Sequence, residues 1–134
     1  MNANRDVAAL VGRVLLASLF VWSGFGKIAG FAGTAGFIAS KGLPMAQLLT
    51  AAAIVAELGG GLAIIAGWKV RWSALVLVAF TIVASVVFHN FWAAPPEQAM
   101  MQQINFIKNT AIIGGLLLLY AQGAGRFAVE RDAN

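Results

Sequence analysis

Cysteine is absent from this chain. No disulfide can form, no thiol relay can carry electrons, and no thiolate can hold a metal within it. Histidine occurs once, at His89, and one imidazole with one central carboxylate does not make a metal-ligand set. Charge is scarce as well: 10% of residues are charged against 60% hydrophobic, with mean hydropathy +0.84. A soluble domain of 134 residues needs far more polar surface. Proline is limited to Pro44, Pro95 and Pro96, so little interrupts the apolar sequence.

What is present comes in long apolar blocks, at about 8–26, 47–66, 72–92 and 104–121. A twenty-residue helix spans about 30 Å, the thickness of a hydrocarbon core. The expected fold is therefore all-α: an integral membrane four-helix bundle forming one domain over residues 1–134. The first block could be read as a signal peptide. Its start is not clearly basic before Arg13, and Lys27 stands where a small-residue cleavage motif belongs, so a retained helix is expected.

The 27–46 segment is too apolar for a solvated linker, with Phe31, Phe37 and Ile38. A short interfacial helix is expected there, between helices one and two, ended by Gly42 and Pro44. Pro95-Pro96-Glu97 is expected to stop helix three. The glycine runs inside helices two and four suit close helix contact in lipid, with Ala52, Ala56 and Gly60 as a small-residue face.

A net charge of +4 and a pI near 10.2 could suggest nucleic acid. Topology explains it better, so the expected surroundings are a lipid bilayer and no nucleic acid. Arg5, Arg13, Lys69, Arg71, Arg126 and Arg131 lie toward one set of helix ends, and Lys27, Lys41 and Lys108 toward the other. That bias places both termini in the cytoplasm. Trp68, Trp72 and Tyr120 then mark the inner interface, and Trp22 and Trp92 the outer one.

The polar residues inside these blocks carry the functional signal. Glu57 is the only charge in residues 47–66. A charge at mid-bilayer costs about 2.5–3.5 kcal/mol on insertion scales, so it must be protonated, paired or facing a wet cavity. Helical spacing gives each span one polar stripe: Arg13 and Gly24, with Lys27 near their face; Ala53, Glu57 and Gly61; Thr81, Ser85 and His89; Asn105, Lys108 and Asn109. Four stripes bury their charges by facing one another. The expected cluster is Arg13, Lys27, Glu57, His89, Lys108 and Asn109, opening outward. Its cationic excess would suit a small anion, a carbonyl-bearing molecule such as a quinone headgroup, or a lipid headgroup.

An architectural reading uses the same residues. Arg13 could pair with Glu57, Lys108 could bind helix-end carbonyls, and Lys27 could reach for the interface. Two further patterns carry little. Ser85 and His89 are i, i+4 neighbours, but a serine facing a helix core usually bonds its own helix. Gly24-Phe25-Gly26-Lys27-Ile28-Ala29 matches a dinucleotide fingerprint but follows a membrane helix, not a strand.

Several pieces in order resemble the DoxX family of small four-helix bacterial membrane proteins. They are Arg13 with Gly24-Phe25-Gly26-Lys27, Lys41-Gly42-Leu43-Pro44, the run Glu57-Leu58-Gly59-Gly60-Gly61, His89 with Phe91, and the stretch from Lys108 to Leu119. The resemblance implies four spans in the bacterial cytoplasmic (inner) membrane. It also implies a link to redox systems, since the family name comes from subunits of a quinone-linked thiosulfate oxidoreductase and some members join oxidative-stress complexes. No self-contained catalytic site is evident in this chain. The leading expectation is a membrane subunit of a redox-associated system, with a soluble redox partner or a homodimer. The alternatives are a small-solute or proton pathway, in which Glu57 and His89 relay a proton, and a non-enzymatic scaffold or assembly factor.

Overall fold

A computed structural model describes residues 2–130. The N-terminal block forms α1, Ala3–Ala29, which starts well before the expected Ala8. Polar residues at the start explain the extension. The Asn2 side chain accepts from the Asn4 backbone N–H at 3.1 Å, and Asp6 sits in the first turn, where a negative charge suits the helix dipole. Lys27 occupies the last turn, where a positive charge suits it.

The expected short helix is α2, Phe31–Ser40. The second span consists of α3, Ala46–Ile54, a π-helical turn at Val55–Gly59, and α4, Gly60–Ala66. The third span is α5, Val70–Phe88, followed by a 3-10 turn at Phe91–Ala93. The fourth is α6, Pro96–Gln122, which begins eight residues before the expected Ile104. The proline pair starts this helix as well as ending the one before. Pro95 caps it and Pro96 takes the first helical position, where a missing N–H costs nothing. Among the described residues, four helical stretches are long and apolar enough to cross a membrane: Ala3–Ala29, Ala46–Ala66, Val70–Ala93 and Pro96–Gln122.

An even number of spans brings both ends of the chain to one end of the bundle, here called the terminal end. The α2 end lies opposite. The core is a layer of Ala17, Phe20, Ile64, Ala74, Leu77 and Leu116, contributed by α1, α4, α5 and α6. Large apolar side chains such as Leu15, Val55 and Leu118 point outward. That is the pattern of a surface solvated by lipid. Of the small residues expected to pack, Gly60 meets Leu77 of α5, while Ala52 is exposed.

The terminal end is closed by the chain itself. Residues 123–130 fold back beneath α4. The Val129 N–H donates to Ala66 O at 3.1 Å, the Glu130 N–H donates to Gly67 O at 3.0 Å, and Lys69 pairs with Glu130 at 2.8 Å. Gly67 is required where the two segments cross. Its φ is +78°, and a Cβ there would stand 2.5 Å from the Ala128 Cβ. Arg131, counted with the basic residues of this end, lies outside the described residues.

Candidate functional site

The site begins with the π-helical turn. A π turn accommodates an extra residue, breaks the i, i+4 register and commonly marks functional positions. Glu57 occupies its middle and is buried. Two glycines let α1 press against this turn. A Cβ on Gly24 would lie 3.1 Å from the Leu58 backbone nitrogen, and one on Gly61 would lie 3.2 Å from Ala17 O. Gly61 thus packs on α1, while Ala53 and Glu57 face inward.

Glu57 faces a cavity of about 600 Å³ toward the α2 end. Four phenylalanines line it, Phe20, Phe37, Phe80 and Phe88, and α2 forms one wall through Gly33, Thr34 and Phe37. The Phe37 and Phe88 rings meet at a tilt of 32°, with 5.3 Å between centroids. The polar residues on its wall are Ser23, Lys27, Thr34, Glu57, Thr81, His89 and Asn109. A mostly apolar concavity with a few convergent polar groups is the usual make-up of a small-molecule site.

Lys27 and Glu57 form an ion pair, with Nζ 2.7 Å from Oε1. Glu57 is 2% exposed and Lys27 25%, so the carboxylate is deep and the ammonium stands nearer the surface. Lys27 also donates to Ser23 Oγ at 2.9 Å. The approach to Glu57 is close but lies outside hydrogen-bond geometry, so Oε1 accepts no hydrogen bond among the described residues. His89 Nδ1 lies 2.8 Å from Gln102 Oε1, and Asn109 donates to Ser85 Oγ at 3.1 Å. Thr81 and Ser85 donate back to their own helix, to Leu77 O and Thr81 O.

The structure brings four of the six expected residues together: Lys27, Glu57, His89 and Asn109 line one cavity. Arg13 is elsewhere. It is 3% exposed and sits toward the terminal end, where it donates to Ile64 O at 3.1 Å and to Ala124 O at 2.5 Å. It also donates to Ile65 O at 3.5 Å and to Phe127 O. The Arg13–Glu57 pairing of the architectural reading is therefore corrected: Lys27 is the partner of Glu57. Arg13, and not Lys108, satisfies helix-end carbonyls, and it ties residues 123–130 to α4. Lys108 is exposed and does not line the cavity. The cationic excess expected of the cluster is corrected with it. With Arg13 and Lys108 outside, Lys27 is the one lysine or arginine on the cavity wall among the described residues, and it faces Glu57.

Sequence reasoning did not place Ser23, Thr34, Gln102 or the four phenylalanines in the site, although Phe37 was a sign of the short helix. Ser23 had a signal, since it lies one helical turn before Lys27. Gln102 had none, because its helix was expected to start after it.

The DoxX family model matches residues 8–90. The inner membrane protein YqjF of Escherichia coli (strain K12) is 38% identical over 134 residues, covering 100% of this chain and 98% of that protein. The inner membrane protein YphA of the same strain is 33% identical over 130 residues, covering 97% of this chain and 93% of that protein. The Surfeit locus protein 4 homolog of Schizosaccharomyces pombe (strain 972 / ATCC 24843) is 28% identical over 128 residues. That stretch is 94% of this chain and 37% of that protein. No solved structure matches the chain. The full-length likeness to inner membrane proteins agrees with four apolar spans in a bacterial inner membrane, crossed more than once. The matched stretch carries Arg13, Lys27, Glu57 and His89, and so both partners of the ion pair; this chain belongs to the DoxX family.

Proposed function

We propose that the cavity binds the headgroup of a quinone-type lipid and that the chain serves a redox-associated system as its membrane subunit. The observation that carries this reading is the Lys27–Glu57 ion pair in an aromatic-lined cavity within lipid reach. A small anion is the weaker candidate, because Lys27 is already neutralised by Glu57 and no second lysine or arginine lines the cavity among the described residues. A neutral ring bearing polar oxygens needs no net charge from its site, and phenylalanine faces and edges suit an aromatic ring. The redox association comes from the family resemblance. The electron carrier would belong to a partner, either a soluble redox protein or a second copy of the chain.

We further propose that the terminal end is cytoplasmic, since Arg5, Arg13, Lys69, Arg71 and Arg126 gather there. The cavity then opens on the outer half of the membrane. A through-going proton or solute path fits less well, because Arg13 and residues 123–130 are hydrogen-bonded across the opposite end.

Gly33 provides a clean test. It lines the cavity, and a Cβ there meets nothing within 4 Å, so a larger side chain projects into open space without strain. The protein in lipid nanodiscs should bind a decyl-tailed benzoquinone, in one oxidation state or the other, saturably. Gly33→Leu should abolish that binding and leave the unfolding midpoint within a few degrees. Absence of saturable binding, or equal binding by Gly33→Leu, overturns the proposal.

A further inference from the structure

The hydrogen-bonding inventory of the cavity bears on which oxidation state of such a headgroup it takes. An ionised carboxylate only accepts, and offers about four lone-pair sites on two oxygens. Glu57 receives no hydrogen bond among the described residues, although it is buried. Gln102 Oε1 also only accepts, so its 2.8 Å contact fixes a proton on His89 Nδ1. Whenever the ring carries that single proton, Nε2 is an acceptor, and it has no partner among the described residues. Asn109 gives an N–H to Ser85 Oγ, which orients the amide and leaves Oδ1 unmatched.

Donors are fewer. Lys27 donates one N–H to Ser23 and pairs with Glu57 by charge, outside hydrogen-bond geometry, which leaves two N–H groups uncommitted. Asn109 keeps a second amide N–H. The Thr81 hydroxyl is spent on its own helix. Ser23 and Thr34 hydroxyls can serve either way and leave the balance unchanged. The unmatched capacity is therefore weighted to acceptors on three elements: the π turn, the end of α5 and the middle of α6.

A quinone carries carbonyl oxygens only and would leave the buried Glu57 carboxylate unmatched, offering no donor to Nε2 or Oδ1 either. Its reduced form carries two O–H donors. We propose that the cavity selects the hydroxyl-bearing, reduced form of an aromatic headgroup. This inference rests on the binding reading given above. Leaving a buried acceptor unmatched is costly, and supplying a donor to a charged group is among the stronger hydrogen bonds.

The test compares decyl-tailed benzoquinol with decyl-tailed benzoquinone, titrated anaerobically against the protein in nanodiscs. The quinol should bind about tenfold more tightly or better, the scale of one hydrogen bond to a charged group. Glu57→Gln and His89→Phe should each bring the ratio of the two affinities toward one. His89→Phe keeps the test valid if Glu57→Gln fails to fold. Equal affinities in the wild type, or tighter quinone binding, overturn the inference and leave the binding reading standing. Saturable binding of neither compound overturns the binding reading, and this inference with it.

Discussion

Removing the two partners of the Lys27–Glu57 pair should have unequal costs. Lys27→Met leaves a carboxylate that is 2% exposed, with no cation beside it and no hydrogen bond. Orphaning one member of a buried pair typically costs about 3–5 kcal/mol. Glu57→Gln leaves an ammonium that is 25% exposed, still bonded to Ser23 and close to the α2 end. Its long stem can carry the charge to the interface, so the loss should be nearer one charge-assisted contact, about 1.5–3 kcal/mol. The double variant removes both charges and should be more stable than Lys27→Met alone. The assay is equilibrium unfolding in mixed lipid–detergent micelles over a double-mutant cycle, with an expected interaction energy larger than the Glu57→Gln loss, at the upper end of the usual range of about 0.5–3 kcal/mol. Equal single losses that simply add in the double variant would refute the reasoning. They would mean that the carboxylate is already served by solvent and that the ion pair does not hold the π turn in place.

The residues outside the cavity give two further predictions. Arg13→Lys retains the charge but loses the planar fork that reaches Ile64, Ile65, Ala124 and Phe127. Each carbonyl left without a donor costs about 1–3 kcal/mol. Hydrogen exchange should quicken at Val129 and Glu130 while headgroup binding stays within about twofold, the expectation for a residue that contacts no ligand; unchanged exchange would contradict the role in closing that end. Lys108→Ala should leave binding unchanged, whereas Asn109→Leu should weaken it several-fold, the scale of one neutral hydrogen bond at about 0.5–1.5 kcal/mol. The reverse order in a binding titration would mean that α6 turns the other face to the cavity.

The four spans were legible because block length against bilayer thickness is a strong signal, and α2 because its apolar residues do not suit a linker. The ends were less so. Polar Gln102 and Gln103 hide the first turns of α6 from a hydropathy reading, although Pro96 followed by Glu97 is also a helix start. Glu57 announced itself as a charge at mid-span. Its partner did not, because spacing along one helix gives relative faces and says nothing of how neighbouring helices are rotated. Lys108 and Asn109 are one residue apart, about 100° around the helix, and only Asn109 reaches the cavity. Arg13 was the furthest from expectation for a different reason. Its partners are backbone carbonyls, which every residue possesses, so no side-chain pattern points to them. The π turn was likewise hidden, since Val55-Ala56-Glu57-Leu58-Gly59 reads as an ordinary helix.

Native mass spectrometry of the protein extracted gently from its own membrane, beside Glu57→Gln, tests the central claim most directly. A small molecule with the mass of a quinone-type lipid should remain on the wild-type protein through mild activation and be absent from the variant. A bare protein in both preparations, or the same adduct in both, would contradict the claim that the Lys27–Glu57 cavity is a binding site.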